Sequence, residues 1–194
     1  MIVRWLGEAC VEIEDDLNIL IDPNYEIEPE TTPDIILVTH EHDDHFNMDV
    51  LEEYPEAIIY GPQSFFDDFD VEGEIIESGE TIENDIKVME CDCYNSDESV
   101  CYFYKGIYHT ADSADYPNPE EKVELMFTAC FKDFFNEYLT RTKDIKPKIV
   151  IPYHFNSEAE ENVKEAMELN KILREAGYDS RLLKPGDFIK IKIE

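Results

Sequence analysis

Short apolar runs separated by turn residues open the chain. MIVRWL, ACVEIE and LNILID follow one another with Gly, Asp and Asn residues between them. Runs of this length with such boundaries are typical of strands, so they predict an antiparallel meander. The next run, DIILVTH, is almost continuously apolar, which predicts a strand buried on both faces.

The remaining pattern alternates between helix and strand and then repeats. MDVLEEY and PQSFFDDF have the pattern of short helices, and AIIYG and GEIIE have that of strands. The second half runs in the order DIKVMECDCY, SVCYFYK and GIYHTAD as a β meander, VELMFTA as a strand, FKDFFNEYLTRT as a helix, PKIVIPYH as a strand, EAEENVKEAMELNKILREAG as a helix, and RLLKPGDFIKIKI as two β runs. This order predicts a layered α/β sandwich of two pseudo-equivalent halves, forming one domain over residues 1–194.

Composition allows a packed core and restricts the partners. Of 194 residues, 43% are hydrophobic, while 16 Lys and Arg against 47 Asp and Glu give a net charge of −31. Such a surface repels phosphate backbones and anionic headgroups, so nucleic acid and membrane partners are disfavoured. The odd set of five cysteines and the absence of a signal-like or membrane-length apolar run favour a reducing, cytoplasmic location.

The stretch LVTHEHDDHF holds three of the five histidines. In an extended segment residues i and i+2 face the same side, so His40 and His42 can direct two imidazoles at one ion. His45 breaks that period and turns, with Asp44, toward a neighbouring position where a second ion fits. Imidazole suits Zn, Fe or Mn, and carboxylates favour the harder members of that set.

The motif THEHDDH closely resembles the signature of the metallo-β-lactamase superfamily. RWLGEA, NILIDP, IYHTADSADY and KPKIVIPYHF are similar to that superfamily's successive segments in the same order. The nearest resemblance is to predicted metal-dependent hydrolases related to L-ascorbate-6-phosphate lactonase. This resemblance implies the four-layer αββα metallo-β-lactamase fold. It also implies a divalent metal centre of one or two ions, with Zn as the expected metal and Mn and Fe as the alternatives.

The resemblance implies a set of six metal ligands. His40 and His42 correspond to the histidines of the first metal, and Asp44 and His45 to ligands of the second metal. Asp112 corresponds to the aspartate that bridges the two metals, and His154 to the last histidine of the second metal. Asp44 and Asp112 are also the candidate catalytic carboxylates.

Further residues are expected around these ligands. Asp22, which closes ILIDP, is the candidate to orient a ligand histidine, although an Asp-Pro turn explains the same pattern. His109 has the same candidate role, with a plain strand histidine as the alternative, and Tyr153 is a candidate pocket residue.

Three departures from the superfamily pattern concern the pocket. The region MECDCYNSDES contains no third first-metal histidine, and Tyr94 and Asn95 resemble the residues found there in related sequences. Cys91 and Cys93 offer thiolates at i, i+2 spacing, although buried structural cysteines are common. Glu8 stands where WLGEA more often has His, and FTACF replaces a glycine-rich stretch.

The function implied is hydrolysis at a metal centre. Two ions would share a hydroxide near Asp112 and Asp44 that attacks a carbonyl or phosphoryl centre, in a small-molecule lactone, ester, thioester or phosphodiester. The alternative is a metal-binding sensor or scaffold with a degenerate, mononuclear or inactive site. A nuclease is a minor alternative, because the chain has no basic stripe to follow a nucleic acid backbone.

Overall fold

Strands and helices alternate in the computed structural model, which describes residues 1–83 and 85–192. The strands, in chain order, are β1 (Ile2–Gly7), β2 (Cys10–Glu14), β3 (Asn18–Ile21), β4 (Ile35–Leu37), β5 (Ile58–Gly61), β6 (Glu74–Ile75), β7 (Thr81–Ile82), β8 (Ile86–Glu90), β9 (Val100–Tyr104), β10 (Ile107–His109), β11 (Leu125–Ala129), β12 (Ile149–Tyr153) and β13 (Phe188–Lys190). The helices are α1 (Val50–Glu53), α2 (Gln63–Asp68), α3 (Phe135–Ile145) and α4 (Glu160–Glu175), and a 3₁₀ turn covers Lys132–Phe134.

The strands form two mixed sheets that repeat one topology. The first sheet has the order β13-β1-β2-β3-β4-β5-β6 and the second has the order β12-β11-β10-β9-β8-β7. In each sheet an antiparallel meander, ending at β3 or β10, is continued by parallel strands. The predicted repeat of meander and alternation is therefore confirmed.

Strand β4 is buried on both faces, as its continuous apolar run predicts. Ile35 and Leu37 belong to the core cluster that also contains residues of the second sheet. Ile36 points the other way and packs with Val50 of α1 and Phe65 of α2. This burial holds the end of β4, and with it the histidine cluster, in a fixed place.

Helices cover the outer face of each sheet. On the first sheet, α1 and α2 supply Val50 and Phe65. On the second sheet, α4 packs against β12, with Ala166, Leu169 and Leu173 fully buried at helical spacing. The layers follow the order helix, sheet, sheet, helix, which confirms the predicted α/β sandwich.

Two predicted strands are shorter in the structure. The run DIKVMECDCY leaves the sheet after Glu90, because the amide of Asp92 donates to Asp115 O at 3.1 Å and not to a neighbouring strand. In RLLKPGDFIKIKI only β13 forms within the described residues. A turn from Lys184 to Asp187 interrupts the run, with the Lys184 amide donating to the Asp187 carboxylate at 2.9 Å.

The helices do not provide a membrane span. Among the described residues, no helix combines the length and the apolar character that crossing a bilayer requires.

Candidate metal centre

The loop after β4 brings the motif histidines together. His40 and His45 are fully buried, and the amide of His45 donates to His42 O at 3.0 Å, which turns the chain back on itself. Nε2 of His40 lies 3.0 Å from Nδ1 of His42. The two imidazoles meet as the i, i+2 spacing predicts, although the segment is a turn and not an extended strand.

Two groups of three metal-binding side chains lie in the described part of the chain. The first, called the Asp44 group, consists of Asp44, His45 and His154. The second, called the His40 group, consists of His40, Cys93 and Asp112. Within each group the three donor atoms lie within 4.8 Å of one another.

In the Asp44 group, Nε2 of His45 and Nε2 of His154 are 3.0 Å apart, and Nε2 of His154 is 3.7 Å from the Asp44 carboxylate. In the His40 group, Nε2 of His40 is 3.7 Å from the Asp112 carboxylate. His42 lies outside both groups of three, but its contact with His40 places it beside the His40 group.

A buried carboxylate supports the histidine loop from behind. Asp22 accepts hydrogen bonds from the amide and the hydroxyl of Thr39, both at 2.8 Å, and lies 2.9 Å from Nδ1 of His45. Burial raises the pKa of Asp22, but His45, His109 and His40 together outweigh burial, and the pKa is lowered. Burial likewise lowers the pKa of His45, and the carboxylates of Asp22, Asp112 and Asp44 together reverse this and raise it to about 9.

The hydrogen bonds of Asp22 and Thr39 determine which imidazole nitrogens remain available. With Nδ1 of His45 donating to Asp22, Nε2 faces His154. Nδ1 of His40 lies 2.9 Å from the Thr39 hydroxyl, and its Nε2 faces Asp112. Fixing one ring nitrogen so that the other can bind a metal is the usual arrangement around ligand histidines.

Three strand ends next to the site have left-handed backbone conformations. Asp22 follows β3 with φ +48°, Ala111 follows β10 with φ +51°, and His154 follows β12 with φ +58°. For residues with a side chain this conformation costs on the order of 1 kcal/mol or more and persists where the surroundings enforce it. The fold therefore accepts strain at the positions that bring Asp22, Asp112 and His154 to the site.

His109 and Tyr153 both hold the residue before Asp112. The Tyr153 hydroxyl donates to Ala111 O at 2.6 Å, and the Ala111 amide donates to Nδ1 of His109 at 3.4 Å. Nε2 of His109 donates to Ala9 O at 3.1 Å. Burial lowers the pKa of His109 to about 4, so the ring is neutral and is satisfied by backbone groups.

The donor atoms fit a divalent metal. Oδ1 of Asp112 is buried and has no hydrogen-bond partner among the described residues. Such an atom is costly unless a further group satisfies it. Ligand atoms about 2.1 Å from a tetrahedral ion lie about 3.4 Å apart, and the separations of 3.0 and 3.7 Å bracket that value. Imidazole, carboxylate and thiolate together suit zinc or iron.

A cleft of about 900 Å³ opens over both groups. Its lining includes His42, Asp44, Cys93, Asp112 and His154. The outer lining is rich in carboxylates and aromatic rings: Asp92, Asp115, Asp133, Glu137, Glu165, Tyr94, Phe131 and Phe134.

Tyr94, Asn95 and Glu8 lie toward the outside of the site. Tyr94 is 79% exposed, and Asn95, with φ +59°, lines the cleft near His42. Glu8 lines an adjoining cavity of about 150 Å³ together with His154. Burial raises the pKa of Glu8, and the carboxylates of Glu26 and Asp44 raise it further. The carbonyl of Glu8 also accepts a hydrogen bond from the amide of His154 at 3.0 Å.

Thr39 and Glu41 contribute contacts that the sequence analysis did not identify. Glu41 accepts hydrogen bonds from the amide of Asp97 at 2.6 Å and the hydroxyl of Ser96 at 3.0 Å, which ties the motif to the loop after β8. Neither residue has a signal in its local pattern, since a threonine and a glutamate beside a buried strand are common. Only the fold brings their partners to them.

Comparison with known proteins shows the family of this chain. Residues 2–154 match the family described as the Beta-lactamase superfamily domain, and because the match spans most of the chain, the protein belongs to this family. The predicted superfamily is therefore confirmed. The narrower likeness to L-ascorbate-6-phosphate lactonase remains a prediction.

Curated relatives cover nearly the full length. A protein named UPF0173 metal-dependent hydrolase from Nanoarchaeum equitans is 28% identical over 88% of this chain and 97% of its own. A protein of the same name from Archaeoglobus fulgidus is 26% identical over 96% of this chain and 97% of its own.

Solved structures support the fold. Igni18, described as a novel metallo hydrolase from Ignicoccus hospitalis, superimposes with a TM-score of 0.77 at 16% identity, covering 98% of this chain and 99% of that one. The metallo-β-lactamase fold protein YhfI from Bacillus subtilis gives a TM-score of 0.66 at 15% identity, covering 97% of this chain and 98% of that one. At these identities the likeness concerns the fold alone.

Proposed function

We propose that this protein is a metal-dependent hydrolase of small molecules, acting on a lactone, ester, thioester or phosphodiester. The observation that carries the proposal is the pair of donor groups on one cleft, one of which contains the buried and unpartnered Oδ1 of Asp112. The names of the UPF0173 relatives, which call them metal-dependent hydrolases, support the reaction class.

Each of the two groups would bind one metal ion. Asp44, His45 and His154 would hold one ion, and His40, His42 and Asp112 would hold the other, with Zn favoured over Mn and Fe. A bound divalent ion supplies Lewis acidity that activates water near neutral pH and polarises the oxygen that gains charge.

Asp112 would serve both groups. Burial raises the pKa of its carboxyl, but the nearby His45, His40 and His154 lower the pKa below its ordinary value. Asp22 orients His45, while Tyr153 and His109 position Ala111 and through it Asp112. These residues act behind the ligands and do not face the cleft.

The charge of the cleft bears on the substrate. Its lining carries the carboxylates of Asp92, Asp133 and Glu137. Lys132 also lines the cleft, but its ammonium group is paired with Glu168 at 3.3 Å. Carboxylates raise the cost of bringing a polyanion to the site. We therefore favour neutral or cationic esters, thioesters and lactones over phosphodiesters, and we place a nuclease last.

The test is hydrolysis by metal-depleted protein reloaded separately with Zn²⁺, Mn²⁺ or Fe²⁺. The substrates would be a neutral aryl ester, an aliphatic lactone, a thioester and an aryl phosphodiester. We expect turnover of at least one carbonyl substrate that chelation abolishes and that Asp112→Asn lacks. Stable metal binding without turnover of any of the four substrates would contradict the proposal and support the sensor or scaffold alternative.

A further inference from the structure

The His40 group contains a donor that the histidine motif does not supply. Cys93 is 3% exposed, and its sulfur lies within 4.8 Å of the donor atoms of His40 and Asp112. Cys93 therefore lies beside the carboxylate of Asp112, whose Oδ1 is buried without a hydrogen-bond partner among the described residues.

The backbone around Cys93 is fixed to the rest of the site. The amide of Asp92 donates to Asp115 O at 3.1 Å, and the hydroxyl of Ser113 donates to Asp92 O at 2.7 Å. The amide of Cys93 donates to the hydroxyl of Ser99 at 3.1 Å. These bonds join the loop after β8 to the loop that carries Asp112, so the thiol and the carboxylate are held together without a metal.

The neighbouring candidates are placed less well. The sulfur of Cys91 lies 3.9 Å from the sulfur of Cys93, and Cys91 belongs to neither donor group. Tyr94 is 79% exposed, and Asn95 lines the outer cleft near His42. Of the donors in this loop, Cys93 alone among the described residues joins His40 and Asp112 in a group of three.

We propose that Cys93 binds the ion of the His40 group as a thiolate, together with His40, His42 and Asp112; this rests on the proposed function, because it requires that the cluster holds metal. On binding, the S–H bond breaks, the proton leaves to solvent and the sulfur lone pair forms the bond to the ion. A thiolate makes this site softer than the Asp44 group, and so favours zinc or iron over manganese there.

The first experiment replaces the native ion with Co²⁺ in the full chain, under a phosphine reductant, and records the near-ultraviolet thiolate-to-cobalt charge-transfer absorption. The variants are Cys93→Ser and, as the matched control, Cys91→Ser. We expect the band in the wild type and in Cys91→Ser, and its loss in Cys93→Ser. A band that survives in Cys93→Ser, or that disappears in Cys91→Ser alone, would overturn the assignment.

The second experiment counts bound zinc at controlled free zinc and needs no activity. We expect about two ions in the wild type, and in Cys93→Ser a weakening of one ion by at least about 10-fold. Cys93→His should recover the second ion without the cobalt band, which keeps the test decisive if the serine variant folds poorly. If Cys93→Ser binds two ions with unchanged affinity, the assignment of the thiolate as a ligand is overturned and the proposed function is not. If the wild type binds no ion, both the assignment and the proposed function are overturned.

Discussion

The two donor groups differ in how the chain builds them. The Asp44 group takes two of its three members from adjacent residues of the motif, and its His45 is backed by the fully buried Asp22 at 2.9 Å. The His40 group takes its members from three separate segments, and Nδ1 of its His40 meets the neutral hydroxyl of Thr39 at 2.9 Å. A carboxylate behind a ligand histidine fixes the ring and raises its basicity, so we expect the Asp44 group to hold its ion more tightly than the His40 group. The difference shows that one cleft can combine two donor groups whose histidines are supported in different ways.

The largest effect is expected where the two groups meet. Asp112→Asn removes the carboxylate charge that His40, His45 and His154 all share. We expect zinc affinity to fall at both groups, by more than the roughly 100-fold typical of residues behind the ligands. Zinc titration of the metal-depleted protein measures this. Loss of only one ion would show that the groups do not share Asp112.

Single histidine variants should separate the groups. His154→Ala should remove the ion of the Asp44 group and leave the other, and His42→Ala should do the reverse, because His154 belongs to the Asp44 group and His42 lies beside the His40 group. Elemental analysis of protein equilibrated with limiting zinc gives the ion count, and about one ion is expected in each variant. The cobalt charge-transfer band should persist in His154→Ala and weaken in His42→Ala. A band that weakens in His154→Ala and persists in His42→Ala would contradict this division of the ligands between the two groups.

Removing the buried support should weaken the tighter group. In Asp22→Asn the amide retains an acceptor for Thr39 but places a donor toward Nδ1 of His45. We expect zinc affinity at the Asp44 group to fall by about 10- to 100-fold, and unfolding of the metal-free protein to become easier by about 3 kcal/mol, as when a buried ion pair is broken. Denaturant titration with chelator present measures the second quantity. Asp43→Asn is the matched control, because Asp43 is exposed and outside both groups.

The smallest effect is expected behind Ala111. Tyr153→Phe removes the hydroxyl that donates to Ala111 O at 2.6 Å, and should cost about 1 to 2 kcal/mol of stability because a buried carbonyl loses its donor. Tyr138→Phe is the control, since the Tyr138 hydroxyl is buried and has no partner among the described residues, and its removal should cost nothing. Equal losses in the two variants, measured by denaturant unfolding, would argue against the Tyr153 contact as a support of the Asp112 loop.

Much of the fold could be predicted from local pattern. Continuous apolar runs identified the buried β4 and β12, and helical spacing identified α4, because burial on two faces or one face leaves a direct record in the sequence. The end of β8 was not predictable, since Cys91 and Cys93 are compatible with a strand until the backbone of Asp92 finds partners in the loop that follows β10. Of the two β runs predicted near the C-terminal end, the first does not form in the described part of the chain for a related reason, because the turn at Lys184 uses a side-chain hydrogen bond to Asp187.

The sequence by itself determined the class of chemistry here. Three histidines and two aspartates crowded at the end of a buried strand specify a metal site, because few other needs place such residues together. The family resemblance, and not the local pattern, named Asp112 and His154 as distant partners of these histidines. Only the tertiary structure decided how the side chains meet, and that Cys93 and not Cys91 lies with His40 and Asp112. The physical reason is that sheet pairing, loop bridges and strained strand ends make these contacts, and local sequence does not record contacts between residues so far apart in the chain.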